Sequence, residues 1–175
     1  MENVYAIDSI KFYGVSNKKD SSRWYLKEIV TEKNSDSTGE SRYRVECFMS
    51  KDTNLGWAPF NYFFYLQNTY YINEIRGGQI ITSLVFPVLR GRKWNVNMFT
   101  SLEQEMANYT FVGKPWMLYT DCAEMVLREE VNVIEEFVYK KVYAKNIGLV
   151  NKVESQIYIN QDKKNGWSVR QMLIN

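Results

Sequence analysis

A chain without histidine must take its acids, bases and metal ligands from carboxylates, thiols, amines and phenols, and none of the 175 residues here is histidine. Ser-His and Cys-His nucleophile pairs and zinc-histidine centres are thereby excluded, because the side chain that titrates nearest neutral pH is missing. Cys47 and Cys122 are too few for a four-ligand zinc cage. Two buried thiols are the expected state, in preference to one disulfide. Neither a metal site nor a cofactor is expected.

Carboxylates remain. Glu103 and Glu105, Glu129 and Glu130, and Glu135 and Glu136 come in pairs. A glycosidase sets two acids across a bond at roughly 5–10 Å, whereas adjacent residues on a strand point to opposite faces. These pairs therefore read as solvated surface charge, and only acids drawn from two different strands would converge. The loop Arg90-Gly91-Arg92-Lys93-Trp94 gathers positive charge beside a glycine and an indole, which suits an anionic headgroup or phosphate. It lacks the Gly-x-x-x-x-Gly-Lys-Ser/Thr spacing of a nucleotide loop, and a basic hairpin loop with a packed Trp94 is the simpler reading.

The densest aromatic block is Trp57-Ala58-Pro59-Phe60-Asn61-Tyr62-Phe63-Phe64-Tyr65. On a strand Phe60, Tyr62 and Phe64 share one face and Phe63 and Tyr65 the other. The first set offers stacking platforms for sugar rings or walls for an apolar ligand, and a large exposed apolar patch marks a contact site. The plainer account is a core strand with amphipathic tyrosines. Asn108-Tyr109-Thr110 matches the N-glycosylation acceptor pattern, which recurs by chance.

These residues must be positioned by strands. The length is that of one domain, and 22 Lys plus Arg against 20 Asp plus Glu gives neither the basic excess of a nucleic-acid binder nor the low hydrophobicity of a disordered chain. Alternation of period two runs through Val4–Tyr13, Arg23–Lys33 and Tyr43–Met49. It continues through Trp57–Leu66, Thr69–Arg76, Gln79–Phe86, Met106–Val112, Glu124–Glu130, Ile134–Tyr143 and Leu149–Ile159. Gly14 to Ser22 and Asn34 to Glu40 read as turns, and Gly77-Gly78 as a two-residue hairpin turn. Connections this short make neighbours antiparallel. Pro87 to Trp94 reads as a loop. Helix formers without Gly or Pro allow a short helix at Ser101–Asn108 and at Tyr119–Arg128. The expected fold is all-β with at most one or two short helices: a single curved antiparallel sheet, an open or closed β-barrel, or alternatively a β-sandwich. Residues 1–160 form one β domain and residues 161–175 a polar, loosely held tail.

Tyr5-Ala6-Ile7-Asp8-Ser9-Ile10, then Leu84-Val85-Phe86-Pro87 with Gly91 and Trp94-Asn95-Val96-Asn97, then Val142-Tyr143-Ala144-Lys145-Asn146-Ile147-Gly148-Leu149-Val150 follow one another along the chain. In these segments the sequence resembles the uncharacterised secreted lipoproteins of Bacteroidota, whose members carry a Tyr-Ala-Lys-x-x-Gly-Leu-Val segment. The resemblance implies a leader ending in a lipidated cysteine and a lipid-anchored protein at the cell envelope. It supplies no catalytic residues. The sequence departs from the pattern at its start, where Met1-Glu2-Asn3-Val4 shows neither a leader nor that cysteine; the 175 residues read as the folded remainder of a longer exported precursor.

The functional expectation is a non-enzymatic binding or scaffold module. A concave aromatic sheet face bearing Trp57, Phe60, Tyr62 and Phe64, with Arg90, Arg92 and Trp94 as further candidates, contacts a lipid, a glycan or an envelope protein. Nucleic acid is not an expected partner, and a membrane is reached only through the implied anchor. The competing class is a histidine-independent carboxylate hydrolase acting on glycans, which two acids facing one cleft, one with a raised pKa, would favour.

Overall fold

In the computed structural model, which describes residues 1–14, 18–161 and 163–174, strands account for almost all regular structure and no helix occurs among the described residues. The first six strands are β1 (Glu2–Tyr13), β2 (Lys18–Ser35), β3 (Ser41–Ser50), β4 (Ala58–Gln67), β5 (Tyr71–Arg76) and β6 (Gln79–Val85). The other six are β7 (Lys93–Asn95), β8 (Met106–Trp116), β9 (Tyr119–Val131), β10 (Glu135–Ala144), β11 (Gly148–Asn160) and β12 (Lys163–Leu173). They form one antiparallel sheet in the order β6-β5-β4-β3-β2-β1-β12-β11-β10-β9-β8-β7. The sheet curls into a nearly closed barrel, so the expected curved antiparallel sheet holds and the sandwich alternative does not.

The turns explain the antiparallel order. Gly77 and Gly78 take φ values of 54° and 81°, the positive pair that a primed two-residue turn needs. Asp36 closes the β2–β3 turn by accepting from the backbone of Thr38 and Glu40 (2.9 and 3.0 Å). Between β1 and β2 the expected turn is shorter, since β2 starts at Lys18, and Val15, Ser16 and Asn17 of that turn lie outside the described residues. Gly166 in β12 is set by close approach: a Cβ there would stand 2.0 Å from the Gln156 carbonyl oxygen of β11, so only glycine lets the two backbones meet.

Three expectations are corrected. Tyr119–Arg128 lies in β9 and Ser101–Asn108 divides between irregular chain and β8; helix propensity gives way where both flanks of a segment find strand partners. The segment expected as a loose tail carries β12, paired with β1 on one side and β11 on the other. Its polar residues alternate with Trp167, Val169 and Leu173, which is ordinary for a strand with one face in solvent. Lys93 and Trp94, expected in a loop, begin β7.

The barrel's edges, β6 and β7, face each other across a seam that no continuous ladder seals. The Thr82 N–H donates to the Val96 carbonyl at 2.8 Å, and the Trp94 indole N–H donates to the Thr82 carbonyl at 2.9 Å. The Tyr109 hydroxyl accepts from the Val85 N–H (3.1 Å) and donates to the Val85 carbonyl (2.9 Å). Side chains thus satisfy edge groups that would otherwise be buried without partners. Two apolar clusters fill much of the interior: Tyr5, Leu26, Val45, Phe63 and Leu173 in one, and Trp94, Ala107, Tyr109 and Met125 in the other.

Candidate functional site

Register assigns the faces. Tyr5 stands opposite Leu26, Asn3 opposite Glu28, Glu28 opposite Cys47 and Tyr65 opposite Glu74. Directly opposed residues share a face, so Glu28, Glu74 and Arg76 belong to the same interior surface as Tyr5, Cys47 and Phe63. Lys141 reaches Glu74 from across the barrel, with its ammonium 3.6 Å from that carboxylate. A barrel of twelve strands is wider than its side chains fill, and the remaining space forms a cavity of about 390 Å³. It lies at the end of the barrel where β1 starts, β2 and β4 end, β3 and β5 start, and the β10–β11 turn crosses. Tyr5, Tyr43, Tyr65 and Tyr143 line it together with Val30, Val45, Ile72, Leu84 and Leu149; Glu28 is the only one of the described lining residues with a charged side chain.

Beneath the cavity the charges are unevenly shared. Glu74 takes Arg76 Nε in a close ion pair and Lys141 as a second cation. Burial works against its charge, but Lys141 and Arg76 outweigh burial and hold the carboxyl at about 2. Burial likewise opposes the Lys141 ammonium, and Tyr143 and Glu74 more than compensate, keeping it above the ordinary lysine value. Glu28 has only the far nitrogen of Arg76, at 3.9 Å. Burial, with the Glu74 carboxylate adding to it and Arg76 only partly opposing it, pushes Glu28 up to about 7. Burial also pushes the phenols of Tyr65 and Tyr143 upward, the latter to about 12, so both are hydroxyl donors at neutral pH. Burial raises the Cys47 thiol to about 12 as well; Cys47 and Cys122 are both free and buried, and Cys47 is unreactive.

The residues singled out in the sequence lie elsewhere. Phe60 and Tyr62 are 62% and 54% exposed on the outside of β4, while Phe63 on the opposite parity is buried. The expected parity is therefore right and the expected concavity is not. Phe64 packs edge-on against Tyr62, and the guanidinium groups of Arg42 and Arg44 lie over Phe64 and Tyr62. Trp57 precedes β4 with the Lys27 ammonium over its ring. Arg92 donates to the Pro87 carbonyl at 3.1 Å, and Arg90 is exposed in the same loop. Trp94 is 4% exposed and brackets the seam, so its indole offers no surface to a ligand. Of the paired acids, Glu129 meets Lys140, Glu130 meets Arg128, and Glu136 accepts from Ser155.

Sequence reasoning passed over Glu28, Glu74, Arg76 and Lys141. The signal was present: Glu28 stands on the apolar parity of Leu26 and Val30, and Glu74 on that of Ile72, so each breaks an alternation with an acid on its inward face. Among the described residues no three Asp, Glu or Cys side chains gather to hold a metal ion. No protein-family model matches the chain, and no curated protein or solved structure is detectably similar to it.

Proposed function

We propose that the protein is a binding module that takes a small amphiphilic ligand into the lumen of its barrel. The observation that carries this reading is the cavity itself: about 390 Å³, mostly apolar and aromatic, with a few convergent polar groups, which is the composition of a small-molecule site. Tyr5 of the first segment that resembles the Bacteroidota lipoproteins, Leu84 of the second, and Tyr143, Ile147, Gly148 and Leu149 of the third all border it. Binding is favoured over two-acid hydrolysis because Glu74 is held between Arg76 and Lys141 and does not line the cavity, leaving Glu28 without a second carboxylate.

The outward faces carry ion pairs such as Asp8 with Arg23 and Glu46 with Arg44 where lipid-facing strands would present an apolar band. That supports a barrel standing in water. The same proposal sets it at the cell envelope, anchored through a lipidated N-terminal extension, on its likeness to the secreted lipoproteins. Recovery of the natural protein from the cytosolic fraction of its host would overturn that part.

The lumen is tested by backbone amide NMR during titration with hexan-1-ol. Saturable shifts at Val30, Tyr65 and Ser83, with Phe60 and Tyr62 unmoved, are expected. Shifts confined to the outer aromatic face of β4 would transfer the site there, and an absence of saturable shifts would remove the ligand-binding reading.

A further inference from the structure

Within the lumen just proposed, on which this inference rests, one acid is only loosely paired and one hydroxyl has no hydrogen-bond partner among the described residues. Arg76 runs its Nε to Glu74 and stacks its guanidinium 3.9 Å from the centre of the Phe63 ring. Lys141 pairs with Glu74 as well. Two acids and two bases are present, yet both bases sit closer to Glu74, Arg76 reaching Glu28 only with its far nitrogen at 3.9 Å, and neither base lines the cavity. Glu28 does line it, with its side chain 11% exposed, and its remaining neighbours are the neutral Asn3 and Cys47 directly opposite and the Tyr5 hydroxyl. Across the same cavity Ser83 of β6, 2% exposed, lines the wall with an Oγ that has no hydrogen-bond partner among the described residues. A buried hydroxyl of this kind is normally satisfied.

We propose that the lumen recognises a small primary alkylammonium ion, with the ammonium at the Glu28 carboxylate, the alkyl chain lying along Val30, Val45 and Ile72, and the Ser83 hydroxyl as a second acceptor on the cavity wall. An ammonium brings three donors and no acceptor. A carboxylate and a hydroxyl that need donors are its complement, and the surrounding tyrosine rings add attraction for a cation. An anion of the same size would meet the Glu28 carboxylate with no cationic side chain among the described lining residues to offset it. An alcohol would satisfy Ser83 but would bring no positive charge to hold Glu28 in its ionised form.

Isothermal titration of the chain with hexylammonium, hexan-1-ol and hexanoate at about pH 6, in two buffers of different ionisation enthalpy, separates the possibilities. Hexylammonium is expected to bind roughly tenfold or more tightly than hexan-1-ol, with hexanoate weakest. Its binding is expected to release up to one proton, because Glu28 is largely protonated in the free protein at that pH and gives its proton to solvent when the ammonium arrives. Glu28→Gln is expected to abolish both the preference for hexylammonium over the alcohol and the proton release. If that variant does not fold, the ligand ranking and proton release of the unaltered protein decide alone. Equal binding of amine and alcohol without proton release overturns the ammonium assignment and keeps the lumen as a site. No saturable binding by any of the three overturns the lumen reading itself.

Discussion

Glu28 and Glu74 are the same residue type a short distance apart, and their surroundings drive them in opposite directions. Glu28 is raised from 4.5 to about 7, chiefly by burial, and Glu74 falls to about 2 because Lys141 and Arg76 overcome its burial. For Glu28 the folded chain holds a proton that the unfolded chain has released between those two values. Its stabilising contribution is therefore complete below about 4.5 and lost as pH rises through about 7. Glu74 works the other way, in a separate window: its contribution is present above 4.5 and is lost as pH falls toward 2. Urea unfolding across this range should show the unaltered protein losing on the order of 3 kcal/mol between about pH 5 and pH 8. Glu28→Gln should remove most of that slope. Parallel stability curves for the two proteins would mean that another group titrates. This pair was legible in the sequence only as two acids on the apolar parity of their strands. That β5 brings its acid to Lys141 of β10 follows from barrel closure, which no local pattern encodes.

At the scale of the element, local chemistry was legible where turns are short. Gly77-Gly78 and the Asn34–Glu40 cluster both end strands as their residue types demand. Less legible were β9 and β12, whose helix formers and polar residues become strand because a partner waits on each side. The very short β7 was not legible at all, since it exists through Trp94 and its neighbours crossing the seam. There Tyr109 acts in place of a neighbouring strand, its hydroxyl serving both backbone groups of Val85. Tyr109→Phe leaves a buried N–H and a buried carbonyl without that partner, so a loss of about 2–4 kcal/mol is expected. Faster hydrogen exchange at Val85 should accompany it. A variant within about 0.5 kcal/mol of the parent, with Val85 still protected, would show that the seam is held by other groups.

The molecule as a whole is two six-stranded meanders, β1–β6 and β7–β12, and every pairing in it joins chain neighbours except that of β1 with β12. Tyr5 lies opposite Leu173, so the strands most distant in sequence meet in the middle of the sheet, while its two edges are separated by a single loop. This arrangement orders assembly in time. Hairpins between neighbours form early, whereas zipping β1 to β12 carries the loop-closure entropy of nearly the whole chain and comes after them. Leu173→Ala, which empties a buried position on that pairing, should lower stability by about 2–4 kcal/mol. In stopped-flow experiments nearly all of that loss should appear as faster unfolding, with the folding rate almost unchanged. A matching fall in the folding rate would place the β1–β12 pairing in the nucleus instead. A late closure also means that during folding the lumen, with its buried ion pairs, exists first as the open face of two separate ribbons, and acquires its low dielectric only when the last pair of strands meets.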